Sequence, residues 1–298
     1  EKDIPTAWQS LEGDAPGEHH DAPELPPHCR YTLAEKVGEG GMGVVYRARQ
    51  TAPLDREVAI KVIKPGMDSH AVLRRFRTEQ QALARMTHPH IASVYDSGET
   101  TRGHPYFVME FVDGAPLDKY CHAHELSLTD RLSLMIEVCS AIDHAHQQSI
   151  VHRDLKPSNL LVSHLGDRPQ VKVIDFGVAK ALDQDAGERT QFTNFAHCIG
   201  TPLYMSPEQV AFDNAPIDAR SDVYALGAIL YLLITGQPPF TAETLYAAGF
   251  DGLRKLIRDV DPPPPSVRLR GLGEPTAKCN FVPTDPSQWA APDNTRIR

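Results

Sequence analysis

Cysteine is scarce and unpatterned in this chain. Its five cysteines (Cys29, Cys121, Cys139, Cys198 and Cys279) are odd in number, scattered, and contain no CxxC pair. That excludes a disulfide framework and a zinc knuckle, and it fits a reducing compartment. Basic residues are also in deficit: 30 Lys and Arg stand against 39 Asp and Glu, a net charge of -9. A nonspecific nucleic-acid binder needs a basic face for the phosphate backbone, so that class is set aside. No apolar run approaches the roughly 18 residues that a membrane helix requires. The best candidate, Ala228 to Ile234, reads as a buried helix. The HxH pairs His88/His90, His122/His124 and His144/His146 lack the i,i+4 spacing of a helical metal site. The acidic opening, Glu1-Lys2-Asp3, has no signal-peptide pattern, and a chain that starts without Met is expected to be a fragment. The expectation is a cytoplasmic protein with no membrane segment and no nucleic-acid partner.

What is present changes in texture along the chain. With 298 residues and 41% hydrophobic content it can bury one large core or two lobes. Residues 1–28, rich in Pro, Asp, Glu and His without periodicity, are expected to form a disordered leader. From Tyr31 a strand pattern leads into Gly38-Glu39-Gly40-Gly41-Met42-Gly43 and leaves through Val44-Val45-Tyr46. A GxGxxG string also serves dinucleotide-binding folds, where a helix opens at the glycines. Here a strand follows, then a turn at Ala52 to Asp55 and another strand, Glu57 to Ile63, so the reading is a β-hairpin lid. Glycine suits such a lid because its backbone N–H can approach a phosphate with no Cβ in the way. Alternation puts Lys61 on one face with Ala59 and Ile63, and Val58, Ile60 and Val62 on the other. A helix is expected from Asp68-Ser69 to about Met86, with Glu79 inside its apolar stripe of Val72, Phe76, Leu83 and Met86. An acid facing a core is costly without a base, and Lys61 is the candidate partner. Two more strands, His88–Tyr95 and Tyr106–Val112, complete a first lobe over residues 29–112.

Asp113-Gly114-Ala115-Pro116 breaks the pattern and marks a lobe boundary. The second lobe, residues 113–270, reads as mainly helical. Ser127 to Asp130 has the form of a capping box, followed by Leu128, Leu132, Met135, Cys139 and Ile142 at helical spacing. A strand over Gln170–Ile174 precedes Asp175-Phe176-Gly177. An apolar helix runs from Ser221-Asp222 to Thr235-Gly236, and another from Leu245 to Val260 is interrupted at Gly249 or Gly252. Residues 271–298 are polar and proline-rich and are expected to be an irregular tail. Inside this lobe lies Ile150 to Leu161, a polar octet between apolar flanks. Its Asp154 can take a proton from a hydroxyl, Lys156 can neutralise a phosphate, and the Asn159 amide oxygen can ligate a hard cation. Such residues can equally serve only to turn the chain, so a nucleotide and metal site elsewhere must decide.

The order glycine turn, Val58-Ala59-Ile60-Lys61, Glu79, His152-Arg153-Asp154-Leu155-Lys156-Pro157-Ser158-Asn159, Asp175-Phe176-Gly177, Ser206-Pro207-Glu208 resembles a eukaryotic-type (Hanks-type) protein Ser/Thr kinase of the bacterial branch, over about residues 31–268. The resemblance implies an α+β, bilobal protein kinase fold: an N-lobe antiparallel sheet with one helix over a mainly helical C-lobe. It implies ATP and Mg²⁺. Val37, Gly38, Gly40 and Gly43 would border the ATP, and Lys61, held by Glu79, would orient its phosphates. Asn159 and Asp175 would hold Mg²⁺, Asp154 would accept the proton of the attacking hydroxyl, and Lys156 would balance charge at the γ-phosphate. Val45, Ala59 and Leu161 would sandwich the adenine beside a hinge of Glu110, Phe111 and Val112 after the gatekeeper Met109. His152, Phe176, Leu83 and Val94 match a stacked apolar spine, and Asp222 matches the acid that anchors the catalytic loop. Lys156 and Thr201 resemble kinases acting on Ser/Thr of protein substrates. Arg153 resembles members switched on by loop phosphorylation, here at Thr190 or Thr193, with a kinase–kinase dimer for autophosphorylation. The alternatives are a nucleotide-binding scaffold with little activity and a small-molecule kinase, the latter disfavoured by the Thr201 and Ser206-Pro207-Glu208 platform. One departure stands out. The family sets Glu208 against an Arg from a late helix, and after Pro262 to Pro265 no further helix is expected. The C-lobe is therefore expected to be incomplete, with Glu208 lacking its base.

Overall fold

The computed structural model describes residues 23–40, 43–64, 86–166, 168–176, 202–211 and 217–271. The expectations for the helix at 68–85 with Glu79 and Leu83, and for Gly177, Thr190, Thr193, Cys198, Thr201 and the tail beyond 271, lie outside the described residues. Strands β1 (Tyr31–Gly40), β2 (Gly43–Gln50), β3 (Arg56–Ile63), β4 (Val94–Glu99) and β5 (Pro105–Glu110) form an antiparallel sheet in the order β1-β2-β3-β5-β4. Directly opposed residues share a face, and Val45 opposes Lys61, Lys61 opposes Phe107, and Ala59 opposes Met109. The other face gathers Tyr31, Ala48, Val58, Ile60, Val62, Tyr106 and Val108 into one buried cluster. The two-residue period of β3 thus separates a structural face from one that carries Lys61. A Cβ on Gly43 would lie 2.5 Å from the Val62 carbonyl, so this crossing of β2 over β3 admits only glycine.

Two expectations change in this lobe. Leu25 and Cys29 pack on the buried face, and Thr101 N–H donates to the Glu24 carbonyl at 2.9 Å, so residues 23–28 lie along the sheet. The strand expected at His88–Tyr95 starts only at Val94. The preceding residues pair with the second lobe instead: Ala92 N–H donates to the Val173 carbonyl (2.9 Å) and Val173 N–H to the His90 carbonyl (2.8 Å). Their backbone groups are committed to joining the lobes, which removes them from the sheet.

The second lobe combines a small sheet, β6 (Ala115–Pro116), β7 (Leu160–Leu165) and β8 (Arg168–Val173), with helices α1 (Leu117–Ala123), α2 (Leu128–Gln147), α3 (Pro207–Ala211), α4 (Ala219–Thr235), α5 (Ala242–Ala247), α6 (Gly249–Asp259) and α7 (Pro265–Gly271). Ser127 caps α2, its hydroxyl accepting from Asp130 N–H at 3.2 Å. The buried stripe of α2 is Leu134, Met135, Val138, Ala141, Ile142 and Ala145, whereas Leu128 is 51% exposed. The expected helix is present with its apolar face rotated, because the partner is α4, whose Ala225, Ala228, Ile229 and Leu232 join the same cluster as Leu155, Leu160 and Val173. Helix α4 is capped by Asp218 and ends on Gly236 at φ 76°, a left-handed stop. The interrupted helix breaks before Gly249, at φ 66°, which separates α5 from α6. Among the described residues no helix is long and apolar enough to cross a membrane.

The proline run does not end the helices. Pro265 opens α7, where a preset φ and a missing N–H cost nothing. Arg268 of α7 donates to the Tyr231 hydroxyl (3.3 Å) and the Pro239 carbonyl (2.9 Å), which clips this helix to α4. Glu208 is half-buried and accepts from the Ser221 hydroxyl. Glu208 thus has a hydrogen-bond donor in the first turn of α4.

Candidate active site

The octet is a loop suspended from one carboxylate. Asp222, 1% exposed in the first turn of α4, accepts from His152 N–H at 2.7 Å and Arg153 N–H at 2.8 Å. His146, from the end of α2, lies 2.8 Å from the same carboxylate, a partner the sequence did not disclose. Arg153 sits at φ 65°, a conformation that a residue with a Cβ rarely adopts, so the fixed amides hold the chain in a strained turn. His152 is fully buried, with its ring 4.6 Å from that of Phe176. Its Nδ1 accepts from Asp154 N–H (3.3 Å), which leaves Nε2–H to donate to the Ile174 carbonyl (3.1 Å). Burial pushes the pKa of this imidazole down, against the pull of Asp222 and Asp154, in keeping with the neutral tautomer that these bonds demand.

The chemistry-bearing groups follow directly. Lys156 Nζ lies 3.0 Å from Asp154 Oδ2. Asn159 donates its amide N–H to the Asp154 carbonyl (2.8 Å) and to Asp154 Oδ2 (3.3 Å). With its nitrogen committed, the amide oxygen is the group left to ligate a cation. Asp175 follows β8 at φ 59° and is 35% exposed in its side chain. Its carboxylate is bonded by Lys61, which reaches it from β3 of the other lobe and is 12% exposed. One carboxylate and one amide oxygen suit a hard divalent cation that completes its shell with phosphate and water.

The remaining expected residues surround this centre. Val37 and Gly38 are buried, Gly40 is exposed at the turn, and Val45 and Ala59 lie on the Lys61 face of the sheet. Glu39, inside the turn, bonds Lys36 (2.6 Å) and Lys64 (2.5 Å), which together hold its carboxyl at about 2. Leu161 is buried with Val112 and Ile174. At Glu110 the backbone N–H donates to the Ser93 carbonyl at 2.8 Å and the carboxylate pairs with Lys172 at 2.9 Å. Sequence reading also missed Gln209, whose side-chain amide donates to the Arg153 carbonyl at 2.8 Å. Gln209 directly follows the Ser206-Pro207-Glu208 motif and His146 closes an HxH pair, but neither pattern names the partner 56 or 76 positions away.

Two lobes joined by Lys61 and Asp175, with a loop of carboxylate, lysine and amide slung from a buried acid, make up the architecture of a kinase-type domain. The chain belongs to the protein kinase domain family, which it matches over residues 31–271. Its relatives lie on the bacterial Hanks-type Ser/Thr branch. It is 40% identical over 254 residues to serine/threonine-protein kinase PknB of Mycobacterium leprae, and 41% identical over the same length to PknB of Mycobacterium tuberculosis. Each alignment covers 83% of this chain and 38% of the relative, so the chain spans under two-fifths of the length of these curated relatives. A crystal structure of the Mycobacterium tuberculosis PknI kinase domain, a double mutant, is similar at 27% identity with a TM-score of 0.58, covering 82% of this chain and 83% of that one.

Proposed function

We propose that this chain is an ATP-dependent protein Ser/Thr kinase. The observation that carries the reading is the bonded loop Asp154-Lys156-Asn159, hung from Asp222, together with a Lys61–Asp175 contact between the lobes. In this reading Asp154 orients a Ser or Thr hydroxyl and receives its proton. Lys156, already beside that carboxylate, offsets charge that develops on the transferred phosphoryl group. Lys61 and the amides of Gly38, Gly40 and Gly43 bind the nucleotide phosphates, and Val45, Ala59, Met109 and Leu161 enclose its base. Asn159 and Asp175 would hold Mg²⁺, which when bound neutralises phosphate charge. Phosphoryl transfer asks little covalent chemistry of a protein, so this positioning and charge balance supply most of the rate. Protein substrates, autophosphorylation at Thr190 or Thr193 between two copies, and a cytoplasmic location belong to the same proposal. Phosphopeptide mapping at several chain concentrations tests the autophosphorylation part.

The decisive experiment incubates the chain with Mg²⁺, labelled ATP and a generic protein substrate, beside Asp154→Asn. The expected outcome is label on Ser and Thr, lowered by about 10²–10⁴-fold in the variant, with ATP binding retained. Label that persists in the variant would remove Asp154 as the base. ATP binding with no label in either sample would favour a nucleotide-binding scaffold.

A further inference from the structure

Gln209 lies on α3, outside every residue expected to meet nucleotide or hydroxyl, yet its side chain ends on the backbone that carries Asp154. The Arg153 carbonyl and the Asp154 N–H share one peptide plane. The oxygen of that plane accepts from Gln209 Nε2 at 2.8 Å, and its N–H donates to His152 Nδ1 at 3.3 Å. The preceding amide is held by Asp222 at 2.8 Å. The left-handed turn at Arg153 is thus pinned from three directions, and only the pin from Gln209 comes from the 202–211 segment. The orientation of the Gln209 amide is itself set. Its Oε1 accepts from Ser206 N–H (3.0 Å) and from the Ser206 hydroxyl (3.3 Å), which obliges the NH₂ to face Arg153. Helix α3 has other anchors, Glu208 on Ser221 and the Ala211 carbonyl on Arg254 of α6.

We propose that Gln209 is a positioning residue: by holding the Arg153–Asp154 peptide it makes the place of Asp154 depend on the 202–211 segment. The inference rests on the reading of Asp154 as the proton acceptor. A rotation of that one peptide would swing the Asp154 side chain, and the hydrogen bond from Gln209 opposes it.

Two variants of the full chain separate a clamp from mere packing. Gln209→Glu keeps the shape and the acceptor for Ser206, but it sets a carboxylate oxygen against the Arg153 carbonyl. Gln209→Met removes the bond to Arg153 and the two from Ser206. Hydrogen exchange of the stretch 151–156, which needs no activity, is expected to quicken in both variants with little change in melting temperature. In steady-state assays kcat should fall roughly tenfold, the loss of one good hydrogen bond, with KM for ATP within about twofold. The deficit of Gln209→Glu should narrow as pH falls from 7 toward 5, where a carboxyl of ordinary pKa about 4.3 begins to take up a proton and can donate to the carbonyl. Wild-type exchange over 151–156 in both variants would overturn the clamp. So would a pH-independent deficit in which kcat, KM and melting temperature all worsen together. An inactive wild-type chain would overturn the kinase reading instead, and the exchange measurement would still decide the clamp.

Discussion

His152 shows how one side chain links the site to stability. It is neutral because it is fully buried and spends both ring nitrogens on bonds to Asp154 and Ile174. Its pKa lies below the usual histidine value of about 6.5. Above that pH neither the folded nor the unfolded form is protonated here, and the full stability is present. As pH falls below about 6.5 the unfolded chain takes up a proton that native His152 refuses, and stability is lost at up to about 1.4 kcal/mol per pH unit. Urea unfolding of the wild type should therefore weaken between pH 7.5 and 5.5. His152→Phe should show a shallower loss, by as much as one proton. His88, lowered mainly by burial and by His144 beside it, adds a slope of the same sign that this variant retains. An unchanged slope in His152→Phe would remove His152 from the account.

Helix α2 is where the element scale corrects the sequence. Apolar residues occur so often from Leu128 to Ala145 that a 3.6-residue period can be drawn in more than one phase. Periodicity finds the helix and its cap, while the phase is chosen by α4 and β8, whose buried residues share one cluster with Leu134, Val138 and Ile142. Leu134→Ala, at a position 3% exposed, should cost about 2–5 kcal/mol. Leu128→Ala, at one 51% exposed, should stay within about 0.5 kcal/mol. Urea midpoints of the two variants check the assignment, and reversed costs would restore the stripe drawn from spacing. The same limit explains the late strand β4 and the unforeseen α7. Residues 88–92 have strand-like composition, but their backbone partners lie in the other lobe. Pro265 looks like a helix breaker until it is seen at a first helical position.

At the scale of the whole molecule, the two lobes meet through charge. Lys61 comes from β3 and Asp175 follows the end of β8, and the two form an ion pair across the lobes. Under the proposed function, nucleotide phosphates and a divalent cation would compete for these two groups, and binding should then be read across the entire fold. Mg²⁺ and ATP together at about 100 times their Kd should add about 2.7 kcal/mol of stability, several degrees of melting temperature for a domain of this size. In Asp175→Asn that shift should fall by more than half, and ATP without Mg²⁺ should separate this variant from the wild type less. A full shift in the Asn variant would take Asp175 out of the cation site.

The sequence by itself determined strands β1 to β3, the glycine turn, the two faces of β3 and the order of the chemical groups, because alternation, capping and spacing are local properties of a chain. It also placed Asp222 beneath the loop, through a resemblance that spans the whole series of motifs. The tertiary structure alone decided which face of α2 is buried, that Glu208 rests on the Ser221 hydroxyl, that α7 closes over α4, that His146 reaches Asp222, and that Gln209 reaches the backbone of Arg153. Those contacts join residues 13 to 76 positions apart. Nothing in a local pattern encodes a partner at such a distance, and only the packed fold brings it within a hydrogen bond.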